Sequence, residues 1–168
     1  MAVEGDVMAN FAFRGLEEYA MKLSKLEKGA QEIAGKAIYQ CAGIITDEIR
    51  DEILNIPIAT NVSGSSDKKI DSITPGQRQG LLDGLGIAPL RTDRGVWNVK
   101  VGFDGYNSIK TPKYPKGQPN VLIARSIESG TSFRKKRPFV RTAVNRVKNI
   151  AVQAMKDVVD KEIEKTMK

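Results

Sequence analysis

Between Ser129 and Lys156 the chain carries eight basic side chains and no acidic one: Arg134, Lys135, Lys136, Arg137, Arg141, Arg146, Lys148 and Lys156. The chemistry open to such a run is anion binding, by lysine point charges and by the forked donors of arginine. Nucleic-acid phosphates, carboxylates of an adjacent subunit, or simply water and salt would all satisfy it. Arg134 to Arg137 stand just ahead of a helix expected from Pro138, whose macrodipole is already positive at that end, so an anion there would relieve repulsion. A second basic group, Lys110, Lys113 and Lys116, interleaves with Tyr106 and Tyr114. That pattern suits stacking on and neutralising single-stranded nucleic acid, and equally a flexible surface arm that orders against a neighbour.

Other chemistries lack their reagents. With no histidine among 168 residues, the usual general base near neutral pH and the commonest metal ligand are missing, and with them histidine triads and His-based zinc sites. The lone cysteine, Cys41, lies in an apolar helical run and reads as a small buried filler. Gly76, Gly80, Gly84 and Gly86 surround Leu81, Leu82 and Leu85 without the Gly-Lys-Ser/Thr of a phosphate loop or a dinucleotide fingerprint. No paired acidic motif marks a hydrolase. The expectation is a protein that is not an enzyme and uses no metal or cofactor.

Charge is distributed unevenly. Residues 1 to 56 hold 6 basic and 10 acidic groups, whereas residues 57 to 168 hold 21 and 10, so a net of +7 conceals halves of −4 and +11. Such asymmetry suits a nucleic-acid-facing surface or copies that meet positive face to negative face. The length and the 40% apolar content are those of one domain, 1–168, able to bury a core without disulfides. The longest uncharged stretch, Ile53 to Ser66, is broken by Pro57 and Gly64 and is too short to span a bilayer. Glu4 and Asp6 stand where a secretory signal would be positive, so a reducing cytoplasm is expected.

These groups must be positioned by an α+β fold: a short N-terminal strand, two helices, a small antiparallel sheet with long loops, and a long C-terminal helix. Val7, Phe11 and Phe13 fall on one side of an extended segment over residues 7–13. Helical spacing follows at Leu16, Tyr19, Leu23 and Leu26, and again from Ala30 to Leu54, where Ile33, Ala37, Cys41, Ile44, Ile45, Ile49 and Ile53 trace a stripe. Flexible loops are expected over about 58–75 and 104–120. Pro75 to Gly86 is a short helix or a series of turns.

Ile87 to Arg91 and Val96 to Phe103 read as a hairpin about Thr92-Asp93-Arg94-Gly95, with Pro89 placing the first strand at an edge. Trp97, Val99, Val101 and Phe103 form its buried face, and Asn98, Lys100 and Gly102 its solvated face. Val121 to Ile127 is a buried strand or a short helix. After Pro138, Val140, Ala143, Val144, Val147, Ala151, Ala154, Val158 and Ile163 recur at helical steps.

Ile127-Glu128-Ser129-Gly130-Thr131-Ser132, followed by Arg137-Pro138-Phe139-Val140-Arg141-Thr142-Ala143, resembles the tail-component or neck protein family of long-tailed phages and prophages. That family shows an apolar residue, Glu, an aromatic, Gly and Thr, then a basic loop into Arg-Pro-Phe-Leu-Arg-Pro-Ala before a C-terminal helix. Gln79-Gly80-Leu81-Leu82 with Leu85-Gly86-Ile87, Val99-Lys100-Val101-Gly102-Phe103 and Phe13-Arg14-Gly15-Leu16 extend the likeness over roughly residues 11 to 165. Ser129 and Thr142 depart from the family's aromatic and second proline.

The resemblance implies a structural virion protein of the head–tail junction, assembled in the bacterial host cytoplasm. It would form a homo-oligomeric ring, of six copies or alternatively twelve, between the head connector (head-closure protein) and the tail terminator or tail tube, with DNA passing through. Tail terminator and minor tail component are rival roles, and a nucleic-acid-binding accessory protein is a different class. The resemblance makes Glu128, Gly130, Thr131, Arg137, Pro138, Phe139 and Arg141 a structural motif in which Glu128 pairs with Arg137 or Arg141. Arg134, Lys135, Lys136, Arg146 and Lys148 are then candidates to face DNA or a partner, and Lys110, Lys113 and Lys116 are the cations of a mobile loop.

Overall fold

The computed structural model describes residues 9–12, 29–61, 63–65 and 67–167. The helical spacing at Leu16 to Leu26 and the flanking Val7 and Phe13 lie outside them. Strand β1 (Ala9–Ala12) stands where an extended segment was expected. Helix α1 (Ala30–Leu54) follows the isoleucine stripe, burying Ile33, Ala37, Cys41, Ile45, Ile49 and Ile53, with Ile44 only partly covered. It also buries Ala34, Gly35, Ile38 and Ala42, a second strip beyond the expected one. The extra width has a cause: α1 packs on the sheet on one side and on the C-terminal helix on the other. Pro57 then prevents its continuation.

Helix α2 (Pro75–Gly84) settles the first open segment. Thr74 accepts a hydrogen bond from the Gln77 backbone N–H at 3.2 Å, Gln77 Oε1 accepts from the Thr74 N–H at 3.1 Å, and Pro75 occupies the first helical turn. This reciprocal cap offsets the weak propensity of its glycines. The second open segment is helix α3 (Asn120–Ser129), which buries Ala124 and Ile127.

The sheet is antiparallel. Strand β4 (Val96–Phe103) is central, pairing with β1 from Ala9↔Val101 to Ala12↔Asn98. Its other edge pairs with β2 (Leu85–Ile87) and then β3 (Arg91–Asp93). From Ile87↔Val101 to Arg91↔Asn98 the outer strand advances four residues against three on β4, so a one-residue bulge falls around Pro89, which could not have donated to the ladder. Arg94 and Gly95, at φ 49° and 80°, close the hairpin as a two-residue turn that matches the strand twist.

Val99 and Val101 are buried as expected, while Trp97 and Phe103 are only partly covered. Asn98, Lys100 and Gly102 are half-buried rather than fully solvated.

Helix α4 (Phe139–Met167) buries Val140, Ala143, Val147 and Ala151 on α1, then Met155 and Val159. The last two were missed because a straight 3.6-residue helix drifts about its axis over 29 residues. Phe139 packs its ring 6.0 Å from that of Phe103, joining the start of α4 to the end of the sheet.

Candidate functional site

The segment from Glu128 to Arg141 is a corner that joins α3 to α4. Gly130 has φ 74°, and a Cβ there would lie 3.0 to 3.1 Å from the backbone N and Cα of Lys136, so a side chain would be both strained and crowded. The Thr131 hydroxyl accepts hydrogen bonds from the N–H groups of Phe133 (3.3 Å) and Arg134 (3.0 Å), and the Thr131 N–H donates to the Arg134 carbonyl at 3.0 Å. Arg137 N–H donates to the Ile127 carbonyl at 2.8 Å, returning the chain to α3.

Glu128 acts across this corner. Its carboxylate oxygens accept from the backbone N–H of Val140 at 2.9 Å and of Arg141 at 3.2 Å, groups that have no acceptor within the first turn of α4. The carboxylate therefore caps the helix and supplies the negative charge favoured at its N-terminus. The expected pairing with an arginine is corrected in kind. The Arg141 contact is through its main chain, and the Arg137 guanidinium lies on Asp71 at 3.0 Å. Pro138 precedes the helix, and Phe139 is buried beneath the turn.

The basic run divides into groups of different standing. Arg134 is only 6% exposed and does not face solvent, contrary to expectation. Its guanidinium donates to the Ser72 carbonyl at 2.7 Å, and burial lowers its pKa from the ordinary arginine value. Around it, Ile70 N–H donates to Phe133 O and Lys135 N–H to Ile70 O, each at 2.8 Å, so the 58–74 segment is laced to the corner. The parallel bridge between Ile58 and Ile73 closes that segment at its base. No local sequence pattern announced the lacing, since Ile70 and Arg134 lie 64 positions apart.

Arg146 is also spoken for. It reaches from α4 to Glu48 and to Glu52, the latter at 2.6 Å, and the hydrogen bonds that it donates to these two carboxylates raise its pKa. It pins α4 to α1 rather than standing free. Lys135 lies 3.9 Å from Asp71. Lys136, Arg141 and Lys148 are exposed and form no ion pair among the described residues. Lys156, half-buried further along α4, likewise has no ion pair among the described residues.

Lys110, Lys113 and Lys116 are carried elsewhere, on the loop between β4 and α3. Tyr106 and Pro119 form an antiparallel bridge, Asn107 N–H donates to Gln118 O at 2.9 Å, and Thr111 and Tyr114 exchange backbone hydrogen bonds of 3.1 and 2.9 Å. At its base the Gln118 amide oxygen accepts from Gln77 at 3.0 Å and from Asn107 at 3.2 Å. No periodic signal marks these residues, because side-chain amides rather than a regular ladder shape the loop.

An open groove among the described residues is lined by Gly84, Gly86, Lys100, Gly102, Phe103 and Asp104. No cluster of three His, Cys, Asp or Glu side chains suited to a metal occurs among the described residues. None of the described helices is long and apolar enough to cross a membrane. Comparison with protein-family models, with curated proteins and with solved structures finds no significant match.

Proposed function

We propose that this chain is a structural, non-enzymatic virion protein of a phage head–tail junction, which assembles as a ring between the head connector and the tail tube around the DNA channel. The observation that carries the reading is the corner from Glu128 to Arg141. Its residues resemble the family block apart from Ser129 and Thr142, and their contacts are structural: a carboxylate cap, a glycine turn and a buried phenylalanine at the join of two helices. Each contact fixes a shape, and a shape repeated around a ring is what assembly by subunit contacts requires.

Charge supports the same reading. Lys136 in the corner loop and Arg141 and Lys148 on α4 are exposed cations, while Asp51 is exposed on α1 beside Glu32 and Asp47, which pair with Lys36 and Arg50 on that helix. A ring needs heterologous contacts between two different patches, and opposite charges on separate elements suit such packing. DNA passing through the lumen calls for phosphate contacts without base reading.

The test is solution mass by light scattering, for the protein alone and mixed with the neighbouring head-connector protein, at low and high salt. A discrete ring, alone or only with the partner, supports the proposal and gives the copy number as six or twelve. A ring that binds the tail tube but never the connector indicates the terminator or minor-tail role. A persistent monomer that retains DNA moves the assignment to a nucleic-acid-binding accessory protein.

A further inference from the structure

Resting on that reading, we propose that the hairpin arm from Tyr106 to Pro119 is the element that touches DNA, as a non-specific contact for the phosphate backbone of the duplex.

The arm is internally braced and seated on the start of α2, where Gln77 donates to Gln118 at 3.0 Å. Its turn is closed by the Thr111 and Tyr114 exchange around Pro112 and Lys113, and its base is clamped by Asn107, whose Oδ1 accepts from the N–H groups of Ile109 (2.9 Å) and Gln118 (3.2 Å). Gly117, at φ 116°, lets the returning strand lie against Asn107, since a Cβ there would fall 2.0 Å from the Asn107 carbonyl. Asn120 anchors the stem to the sheet, donating from its side chain to Asp104 O at 2.8 Å and from its N–H to Gly105 O at 3.0 Å. The backbone that carries the three lysines is therefore held, and little conformational entropy is left to lose on binding.

The chemistry at its surface is one-sided. From Gly105 to Ile127 there is no acidic residue. Lys110, Lys113 and Lys116 are all exposed and form no ion pair among the described residues. Lys113 lies 5.6 Å from the Tyr114 ring, and Tyr106, 62% exposed, flanks the stem.

The cation type selects the partner. Lysine is depleted in the buried centres of protein interfaces, where arginine and large apolar anchors carry the energy. The arm offers three lysines and no arginine, and its one aliphatic anchor, Ile109, is turned partly inward. Hydrated point charges without forked geometry neutralise phosphates without holding one base sequence, as a sliding duplex demands.

The experiment measures binding of full-length protein to two unrelated fluorescent 30-base-pair duplexes by anisotropy across a salt series. It compares wild type, the triple Lys110→Gln, Lys113→Gln, Lys116→Gln, and a reference triple Lys136→Gln, Arg141→Gln, Lys148→Gln. Thermal melts report folding, and the single Lys113→Gln at the turn gives a milder variant should the arm triple melt early. For the arm triple the slope of log K against log salt is expected to shrink by about 3, equally on both duplexes, and by about 1 for the single variant.

An unchanged slope overturns the proposal, as does a wild type that binds neither duplex. An arm triple that keeps DNA binding but loses association with the connector ring also overturns it, in favour of a protein contact. Failure of wild type to form any ring strikes the neck assignment instead, and leaves the slope comparison standing.

Discussion

Glu128, the penultimate residue of α3, places its carboxylate 2.9 Å from the main-chain N–H of Val140, twelve positions later, and so acts as the cap that α4 lacks in its own preceding residues. Pro138, immediately before the helix, has no hydroxyl or amide to offer. The cap comes from another helix, so a change in the angle between the two would take the acceptor away from these N–H groups.

Replacing Glu128 separates capping from charge. Glu128→Ala loses both hydrogen bonds and the favourable charge and is expected to cost about 1 to 2 kcal/mol, whereas Glu128→Gln keeps an acceptor and loses less. Urea melts of the three proteins check the order. If alanine and glutamate melt together, the carboxylate does not hold the corner.

Arg134 gives an opposite lesson about charge. Its stem is buried and its guanidinium serves the Ser72 carbonyl. Arg134→Ala is expected to destabilise by about 2 to 4 kcal/mol through lost packing and an orphaned carbonyl. Arg134→Met, which refills the space and removes a buried charge, loses about 1 kcal/mol or less. DNA affinity and its salt slope should be unchanged in the methionine variant; a reduced slope would mean that this arginine does reach phosphate.

These two residues show what a linear sequence displays. Periodicity exposed α1 and α4, because each must hide one stripe, and turn chemistry exposed the β3 to β4 hairpin. The cap on α2 was also written locally, as Thr74-Pro75 with Gln77, but its glycines obscured it. The corner motif was legible as a block of residues, while the role of Glu128 was legible only as an anchor, since which donor it meets depends on how α3 and α4 fold back. Arg134 and Arg146 looked like their basic neighbours. Their burial and pairing depend on Ser72, Glu48 and Glu52, 62 to 98 positions away.

At the far end of the α1 and α4 pair, Glu162 receives Lys36 at 3.2 Å and Lys165 at 2.7 Å, and hydrogen bonds from these lysines, Lys165 first, hold its pKa below the ordinary 4.5. A depressed carboxylate contributes stability above its unfolded pKa and loses it as pH falls through the folded value. Lys36, raised above 10.5 by Glu32 and Glu162, contributes below that value and loses its contribution as pH rises through the folded pKa. The stability gap between wild type and Glu162→Gln should therefore be flat from pH 6 to 9 and close on acidification below about 4.5. Denaturation midpoints across pH test this, and a gap that persists at pH 2 would refute an ionic origin.

Gly130 tests whether the corner tolerates any side chain. At φ 74°, with Lys136 backbone atoms within 3.1 Å of a new Cβ, Gly130→Ala is expected to cost about 1 to 3 kcal/mol. Gly86 is the control, because a Cβ there meets nothing within 4 Å and its φ is not positive. Gly86→Ala should stay within about 0.5 kcal/mol of wild type. Equal melting of the two variants would show that the corner yields to the added methyl.

Cys41 reports on the centre of the fold. It is fully enclosed on α1, and desolvation pushes its thiol up to about 11, so almost none is thiolate at neutral pH. Alkylation by iodoacetamide at pH 8 should therefore be slow in native protein and should reach the rate of a free thiol only in denaturant. Because the residue lies in the core cluster to which α1, α4 and the sheet all contribute, its labelling rate measures opening of that core. The Arg146→Ala variant, which removes the bridge to Glu48 and Glu52, is expected to label faster in native buffer. Labelling as slow as wild type would mean that apolar packing alone keeps the core closed.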